Sequence, residues 1–242
     1  MFNVKEFVDN NVSKFVFSKE NDIVVETVLY KYNGYDERTV ICCSTQCGCP
    51  VACTFCGTGN NFIRNLTADE IIYQVDYVIN EKVLKEIKTT DEIKKFQIMF
   101  MSMGEPAFNF SNVKKAIKEL NSKYPNAKLL LSTVGLKNNN TLNEILEISK
   151  KIKNVGLQFS IHQADEEKRN KLRKEFKDKP LVDLADIFLE AMAGDDEDDS
   201  LSVMDENFLE NNFYLNNPIE NPEISDHPLD NISKTSEKDP TD

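Results

Sequence analysis

The sequence predicts an α/β protein built as an incomplete (β/α) partial TIM barrel, and three observations support this fold class. Four compact apolar runs lack the alternation that is typical of half-exposed strands, amphipathic stretches of helical period separate these runs, and polar residues follow each run at the same point. Continuous apolar strands that alternate with helices indicate a parallel sheet that helices cover on both faces. In (β/α) barrels the loops after the strands build the active site.

Ahead of the first core strand, the N-terminal part of the chain is rich in β-branched and aromatic residues. Short runs of this kind, separated by polar turns such as Asn33-Gly34, are typical of antiparallel strands. We therefore expect a small N-terminal β extension over residues 1–36, followed by the barrel over residues 37–193. The runs that predict the extension and the first core strand are SKFVFS (13–18), DIVVETVLYKY (22–32) and RTVICCS (38–44).

The first predicted helix follows the cysteine-rich segment. Thr67 and Glu70 have the spacing of a capping box, in which the side chain of each residue binds the backbone of the other. Ile71, Val75 and Val78 then share one helical face. This helix is expected to cover the sheet with that face.

Three further strands and their helices follow. The second core strand, KFQIMFM, leads into a helix for which Ser111 is the expected N-cap. The third strand, AKLLLST, leads into a helix that opens with a second capping-box pair, Thr141 and Glu144. The fourth strand, VGLQFSI, is followed by DEEKRNKLRKEF and LVDLADIFLEAM, which are also expected to be helical.

Polar and sulfur-bearing residues stand at the carboxyl end of each core strand. Because parallel strands bring these ends to one edge of the sheet, four separate groups are expected to meet there. Such a convergence indicates an active site. The groups are the cysteines of residues 42–56, Met103–Pro106, Ser132–Thr133 and Ser160–His162.

Charge is distributed unevenly along the chain. The formal net charge is −12, yet residues 195–242 hold 15 of the 41 acidic residues and only two of the 29 basic ones. Residues 194–242 are therefore expected to form an acidic, low-complexity and disordered tail. The rest of the chain carries a net charge of about +1, which gives no broad positive surface for a polyanion.

The cellular compartment is predicted from the start of the chain and from its cysteines. The opening MFNVKEFVDNN has neither a basic n-region nor an apolar h-region, and no apolar run approaches the roughly 20 residues that span a bilayer. We expect a cytoplasmic protein without membrane association. In a reducing compartment, clustered cysteines more often bind metal or act in catalysis than form disulfides.

Cys49, Cys53 and Cys56 form a C-x3-C-x2-C pattern that indicates a metal centre. A structural zinc site takes four ligands, so zinc would need one of the three preceding cysteines as well. Three thiolates can instead hold three irons of a 4Fe–4S cluster and leave the fourth iron open to a ligand. The residue types agree with either centre.

This cysteine pattern, placed after the first strand of a parallel α/β chain, resembles that of the radical S-adenosylmethionine (SAM) superfamily. Proteins of that superfamily carry a glycine–glutamate pair after the second strand, as Gly104-Glu105 is placed here. More narrowly, the chain is similar to the RlmN/Cfr-type adenosine methyltransferases of RNA. The residues that carry the resemblance are VET (25–27), CCSTQCGCPVACTFCGTG (42–59), RNLTADEI (64–71), MGEP (103–106), LST (131–133) and SIHQADEEKRNKL (160–172).

The resemblance implies that the cofactors are a 4Fe–4S cluster and SAM. Cys49, Cys53 and Cys56 would ligate the cluster, and its open iron would bind the methionine part of SAM. Reductive cleavage of SAM would give a 5′-deoxyadenosyl radical, which is chemistry that belongs to the cofactor. The residues that the resemblance implies as SAM contacts are Gly104, Glu105, Ser132, Ser160, Ile161 and His162.

Two further residues match family positions with catalytic roles. Cys42, seven residues before Cys49, resembles the cysteine that removes a proton and resolves the covalent adduct. Glu26 resembles a glutamate that acts as a proton acceptor. The alternative for Glu26 is a polar residue on the outer face of a strand.

The chain departs from the family pattern in its C-terminal part. The family's methyl carrier is a second cysteine near the C-terminus, whereas this chain has no cysteine after Cys56. The fifth and sixth strands of the family's barrel are not predicted, and Asn217 is the candidate for its asparagine SAM contact. These departures predict that the methyl relay does not run as it does in the family.

The leading hypothesis is a radical SAM enzyme similar to those that methylate adenine C2 in rRNA and tRNA. The implied partners are RNA, an external electron donor and a protein that completes the barrel. One alternative is a radical SAM enzyme with a different substrate. Another is a non-catalytic metal-binding fragment completed by a partner.

Overall fold

Three antiparallel strands open the structure, a computed structural model that describes residues 2–19, 23–135, 141–162 and 166–172. They are β1 (Asn3–Asp9), β2 (Val12–Lys19) and β3 (Ile23–Tyr32). Alternation is clear in β2, where Ser13, Phe15 and Phe17 are buried and their neighbours are not. One face of this extension therefore belongs to the core.

Four parallel strands continue the same sheet, whose order is β1-β2-β3-β4-β7-β8-β9. β4 is the strand at which the direction changes, because it pairs with β3 in antiparallel and with β7 in parallel orientation. Two short strands form a separate two-stranded ladder beside the sheet. The strands are β4 (Arg38–Cys43), β5 (Gln46–Cys47), β6 (Arg64–Asn65), β7 (Lys95–Phe100), β8 (Lys128–Thr133) and β9 (Val155–Phe159).

The first long helix, α1 (Ala68–Val78), begins at the predicted capping box. The Glu70 amide donates to Thr67 Oγ1 at 3.2 Å, and the Thr67 amide donates to Glu70 Oε2 at 3.0 Å. The helix continues as a π-helical turn and ends in one further turn. The remaining helical elements are the π turn Ile79–Val83, α2 (Leu84–Glu86), α3 (Phe110–Lys123), α4 (Thr141–Lys151), α5 (Glu166–Lys171) and the 3₁₀ turns Gly57–Asn60, Thr90–Glu92 and Pro106–Asn109.

The prediction that Ser111 caps α3 is wrong. The helix starts at Phe110, and Asn109 occupies the N-cap position. A 3₁₀ turn with Pro106 in its first turn runs directly into the helix and so moves its start toward the N-terminus. The side chain of Asn109 does not cap the helix but binds elsewhere, as described below.

The described helices cover one face of the sheet and not both as expected, because each successive strand is added on the same side and every crossover returns over the same face. Ile71, Val75 and Val78 of α1 are fully buried as predicted, in a core that also contains Ile41 and Cys43 of β4. The opposite side of the sheet is called the inner face here. By strand alternation and register it is formed by Glu26, Val28 and Tyr30 of β3, Val40 and Cys42 of β4, and Met99 of β7.

The predicted fold class is confirmed: a parallel α/β sheet of partial-barrel type carries a small N-terminal β extension. Among the described helices, none is long and apolar enough to cross a membrane. Three predictions lie outside the described residues, namely the helix LVDLADIFLEAM, the candidate Asn217 and the acidic tail. The boundaries at residues 36 and 193 stay predictions.

Candidate active site at the carboxyl edge of the sheet

The carboxyl ends of β4, β7, β8 and β9 lie at one edge of the sheet, because these strands are parallel. The loop that holds Cys49, Cys53 and Cys56 follows β4, and Gly104-Glu105 follows β7. Ser132 lies near the end of β8, and Ser160 follows β9. The four groups predicted to converge do meet at this edge.

A fully buried glutamine of α1 fixes the chain where it leaves β4. Gln74 Oε1 accepts hydrogen bonds from Thr27 Oγ1 at 2.9 Å and from the Ser44 amide at 3.0 Å. Its Nε2 donates to the Ser44 carbonyl at 3.1 Å and to the Glu70 carbonyl at 3.1 Å. Gln74 therefore connects α1, β3 and the start of the cysteine loop through four hydrogen bonds.

The buried side-chain amide of Asn109 holds Thr45, the residue after Ser44. Asn109 Nδ2 donates to the Thr45 carbonyl at 2.7 Å and to the Leu66 carbonyl at 2.8 Å. The Thr45 amide in turn donates to the Met103 carbonyl at 2.8 Å. Residues 44 and 45 are thus fixed from both sides ahead of the loop that holds Cys49, Cys53 and Cys56.

Gln46 packs directly beneath the glycine–glutamate pair. Its Oε1 accepts from the Glu105 amide at 2.8 Å, and its Nε2 donates to Asn65 Oδ1 at 2.7 Å. Gly104 has a φ of +96°, and a Cβ there would lie 2.5 Å from the Gln46 Cβ. Only glycine allows this close approach, so the loops after β4 and β7 are locked together at Gly104.

Gly48 is the hinge between this buried stretch and the cysteine loop. Its φ is +74°, and a Cβ there would lie 1.6 Å from the Asn61 carbonyl oxygen. The Cys49 amide donates to the Thr58 carbonyl at 3.2 Å, and the Cys56 amide donates to the Cys53 carbonyl at 3.0 Å. The loop therefore closes on itself over residues 49–58.

The three loop thiols are partly exposed and none of the six cysteines forms a disulfide. Burial raises the pKa of Cys49 to about 11, and nearby Glu105, Cys53 and Cys56 contribute to the rise. The thiols are therefore close enough to interact electrostatically. Cys56 Sγ also lies 3.0 Å from Thr58 Oγ1.

The donor set of this loop fits a metal centre by its chemistry. Among the described residues, no three histidine, cysteine or carboxylate side chains are already arranged to hold a metal ion. Cys49, Cys53 and Cys56 nevertheless supply three soft thiolate donors from one loop at the sheet edge, as iron–sulfur ligation requires. A raised thiol pKa is also what a bound cation would reverse, because ligation stabilises the thiolate.

Glu105 is 4 % exposed and its carboxylate is bound by backbone groups. Oε1 accepts from the Ala107 amide at 3.0 Å, and Oε2 accepts from the Val134 amide at 2.9 Å. Burial raises the pKa of Glu105, while hydrogen bonds from Thr133, Val134 and Ala107 oppose that rise. The carboxylate thus connects the loop after β7 with the end of β8.

The other residues implied as SAM contacts lie on β8 and after β9. Ser132 Oγ donates to Gln158 Oε1 at 3.0 Å, and the Ser160 amide donates to the Thr133 carbonyl at 2.8 Å. Ile161 is partly buried, whereas His162 is exposed and has a φ of +60°. These residues follow one another along the edge from β8 to β9.

An aromatic contact joins the cysteine loop to the end of β9. The rings of Phe55 and His162 have centroids 4.8 Å apart and are tilted by 54°. The Thr54 amide also donates to the Leu172 carbonyl, at 2.7 Å, just after α5. The cysteine loop therefore reaches across the edge to the last described strand and helix.

The two residues matched to catalytic roles lie on the inner face close to this edge. Glu26 Oε2 pairs with Lys14 Nζ at 2.9 Å, and Ser102 Oγ donates to Glu26 Oε1 at 3.4 Å. Cys42 is 7 % exposed, and burial raises its pKa to about 12. Burial also raises the pKa of Tyr30, with further contributions from Cys42 and Glu26, so the three side chains face one another.

Sequence reasoning missed the buried amides Gln74, Asn109 and Gln46. A signal was present for Gln74, because it lies on the apolar stripe of α1, three residues after Ile71 and four before Val78. A polar residue in such a position must find a buried partner. Asn109 and Gln46 lie in loops, where no periodic pattern marks them.

Comparison with known proteins places these features in a family. The model of the radical SAM superfamily matches residues 43–194. Proteins named "Probable dual-specificity RNA methyltransferase RlmN" are similar to the chain. One from Chlorobium phaeobacteroides (strain BS1) is 37% identical over 178 residues, covering 71% of this chain and 46% of that protein. One from Pseudothermotoga lettingae is 34% identical over 168 residues, covering 67% of this chain and 44% of that protein.

A solved structure agrees with these matches. A radical SAM methyltransferase from Sphaerobacter thermophilus has a TM-score of 0.58 and 29% identity, covering 71% of this chain and 49% of that protein. The chain thus spans about half the length, or slightly less, of the proteins that it matches. With its cysteine loop and its glycine–glutamate pair at one sheet edge, the chain belongs to the radical SAM superfamily and is of RlmN/Cfr type.

Proposed function

We propose that the chain is the catalytic core of a radical SAM methyltransferase that acts on an adenine base of rRNA or tRNA. One observation carries the proposal: the cysteine loop and the pair of Cys42 and Glu26 lie at the same carboxyl edge of the sheet. The printed names of the relatives, which describe RNA methyltransferases, support the substrate class.

The radical SAM superfamily uses a 4Fe–4S cluster and SAM, and this chain offers residues for both. Cys49, Cys53 and Cys56 would hold the cluster, which supplies the electron that cleaves SAM reductively. Gly104 and Glu105 would meet the amino group of SAM. The remaining contacts would come from Ser132, Ser160, Ile161 and His162.

Cys42 and Glu26, which lie on the inner face, would take part in proton transfer. With a pKa of about 12, Cys42 is a thiol at neutral pH, so it must lose its proton before it can take one from the substrate. Glu26 faces the same space and is kept in place by Lys14 and Ser102. The resemblance implies that Glu26 is the proton acceptor of this pair.

Methyl transfer in the family uses a second cysteine as the methyl carrier, in addition to the cysteine that Cys42 resembles. SAM cleavage would depend on the loop cysteines and not on that carrier, so the two reactions are tested separately. An external electron donor would be required for SAM cleavage, and a cytoplasmic setting suits free thiols.

The test measures SAM cleavage and methyl transfer separately. The chain would be purified without oxygen, reconstituted with iron and sulfide, reduced with SAM and assayed for 5′-deoxyadenosine. Cys53→Ala should abolish the product, whereas Thr54→Ala, an exposed neighbour on the same loop, should retain it. Product that persists in Cys53→Ala would contradict the proposed core.

RNA supplies the second readout. Mass spectrometry of adenine methylation would compare rRNA and tRNA from cells with and without the gene. A difference at an adenine would support the methyltransferase. If 5′-deoxyadenosine forms but no adenine changes, the alternative of a radical SAM enzyme with a different substrate is favoured.

A second candidate is a metal-binding fragment that a partner protein completes. The observation that favours it is the position of β9, which has only one neighbour among the described strands of the sheet. An unpaired parallel edge invites another strand. A chain that binds zinc instead of iron, or that assembles its cluster only with a partner, would support this candidate.

A further inference from the structure

The opposite end of the sheet, at β1, is an edge of different character. Among the described strands, β1 pairs only with β2, and nearly all of its residues are exposed. Two of them are large and apolar: Phe7 is 55% exposed and Val8 is 64% exposed. Exposed apolar side chains on an unpaired edge strand are typical of a surface that pairs with another strand.

The hairpin turn fixes which backbone groups of β1 point outward. Asp9 pairs with Val12 across the two-residue turn Asn10-Asn11, in which Asn10 has a φ of +49°. In such a hairpin the flanking residues exchange both backbone hydrogen bonds, and every second residue repeats this arrangement. Lys5, Phe7 and Asp9 therefore bond to β2. Glu6 and Val8, like Val4, direct their amides and carbonyls toward the open edge.

We propose that β1 pairs with β1 of a second copy of this chain, in antiparallel orientation about a two-fold axis at Phe7. In this register Phe7 lies opposite its own equivalent, and Lys5 lies opposite Asp9 of the other copy. Because the same contact occurs twice, both ends of the strand gain a pair of opposite charges. The interface is isologous, so it closes at two copies and does not build a fibre.

Residues along β1 alternate between hydrogen-bonded and non-hydrogen-bonded pairs, and this alternation puts the favourable side-chain pairs in the closer arrangement. Glu6 and Val8 would form the hydrogen-bonded pairs, so Phe7, Lys5 and Asp9 would form the non-hydrogen-bonded pairs. Side chains approach most closely in pairs of the second kind, where the Cα atoms are about 4.5 Å apart. Aromatic pairs and opposite charges across strands are both stabilising.

The neighbouring registers are disfavoured by like charges or poor pairing. An axis at Glu6 would put two Glu6 carboxylates opposite each other, and an axis at Lys5 would do the same for two ammonium groups. An axis at Val8 would put Phe7 opposite Asp9 and leave Lys5 without a partner in the strand pair. Like charges directly opposite each other destabilise a sheet. Of these four registers, only the axis at Phe7 sets Phe7 against Phe7 and Lys5 against Asp9, while Glu6 lies opposite Val8 in the wider hydrogen-bonded pairs.

Existing contacts leave these side chains available. Glu6 Oε1 is paired with Lys82 Nζ at 2.6 Å on the helix-covered side, which keeps that carboxylate away from the new strand. Lys5 has no ion pair within the part of the chain that the structure describes, and Asp9 Oδ1 accepts only from Asn10 Nδ2 at 3.0 Å. The charged pair across the axis would therefore form without breaking an ion pair.

Sedimentation analysis of the full chain over a range of concentrations tests the proposal. We expect a monomer–dimer equilibrium in which Lys5→Asp or Asp9→Lys raises the dissociation constant about tenfold. The double variant Lys5→Asp/Asp9→Lys should return it to within about threefold of the original value. Leu146→Lys, which adds a lysine at an exposed leucine of α4, is the control and should leave the equilibrium unchanged.

Cross-linking tests the register itself. A Phe7→Cys variant places two thiols across the axis at a Cα separation that a disulfide can span, so oxidation should give a covalent dimer. In Val8→Cys the two thiols lie two residues out of register and should not be linked. Peptide mass spectrometry identifies the new disulfide among the native cysteines.

These measurements need no cofactor, so their failure is separate from failure of the proposed enzymatic function. A chain that stays monomeric at every concentration, or a dimer that Lys5→Asp and Asp9→Lys leave intact, would overturn the proposal. Equal cross-linking of Phe7→Cys and Val8→Cys would overturn the register. A heteromeric complex that excludes the second copy would show that a different partner uses the edge.

Discussion

The six cysteines of this chain occupy two adjoining regions that differ in almost every physical respect. Cys42, Cys43 and Cys47 lie in a buried stretch that Gln74 and other side chains hold by hydrogen bonds. Cys49, Cys53 and Cys56 lie after the hinge at Gly48, on a partly exposed loop that closes largely on itself. The buried stretch, called the base here, thus precedes a partly exposed loop, so cysteines within fifteen residues of one another lie in two different environments.

The difference between the two regions depends most strongly on Gly48, the hinge residue that separates them. In Gly48→Ala the added Cβ meets the backbone at Asn61, and the left-handed conformation is strained for alanine. We expect the free energy of unfolding to fall by about 3 kcal/mol or more, measured by urea denaturation. Gly57→Ala is the matched control, because a Cβ there meets nothing within 4 Å. Equal stability of the two variants would contradict the hinge.

The base should lose stability when the buried side-chain amide of Gln74 is removed. Gln74→Leu leaves the Thr27 hydroxyl and the Ser44 backbone groups without their partner inside the core. The expected loss is about 2–3 kcal/mol in urea denaturation, because unpaired buried polar groups are costly. Gln97→Leu, at a partly buried glutamine that accepts a bond from Arg38 at 3.3 Å, should cost less than about 1 kcal/mol. The reverse order would show that Gln74 does not hold the base.

Thiol labelling compares the two regions directly. In the native protein without bound metal, iodoacetamide should modify Cys53 and Cys56 at least about tenfold faster than Cys42 and Cys43, because the first two are partly exposed. Mass spectrometry of the labelled peptides gives the rates. Denatured protein is the control, in which all six thiols should react alike. Labelling of Cys43 as fast as Cys53 in the native protein would remove the distinction.

A smaller effect follows from the buried thiol of Cys42. Its pKa is raised from 9.0 to about 12 in the folded protein. A raised pKa means that the folded state holds this proton more tightly, so the stabilisation is complete below pH 9 and is lost as the pH rises toward 12. We expect this thiol to lower the free energy of unfolding by about 1 kcal/mol between pH 9 and pH 10. Cys42→Val, which cannot titrate, should show a pH profile flatter by that amount.

Much of the fold could be predicted because its signals are local. The capping box at Thr67 and Glu70 needs only a four-residue pattern, and the apolar face of α1 needs only its period. β1 was missed because its charged residues hide the alternation and because it buries little of its surface. Ser111 was mistaken for a helix cap because a preceding 3₁₀ turn shifts the start of α3, which no pattern in the helix itself records.

The cysteines and the glycine–glutamate pair of the site could be predicted from the sequence, but the side chains that hold their loops in place could not. Cysteine spacing and the glycine–glutamate pair mark themselves in the sequence, whereas Asn109 and Gln46 act across distances of about 60 residues along the chain. Apart from the Asn65 side chain, which Gln46 also binds, their partners are backbone groups, which every residue carries, so no residue pattern identifies them. The same limit applies to Glu26, whose contacts with Lys14 and Ser102 depend on sheet register.

The order of the strands has a consequence for how the protein is made. In the main sheet every strand lies beside the strand that precedes it along the chain, from β1 through β4 and on through β7, β8 and β9. As the chain leaves the ribosome, each new strand finds its neighbour already synthesised. The sheet can therefore grow by addition at one edge, with few long loops to close. Synthesis itself would then deliver the cysteine loop onto a half-built sheet, with β7 the next strand to arrive.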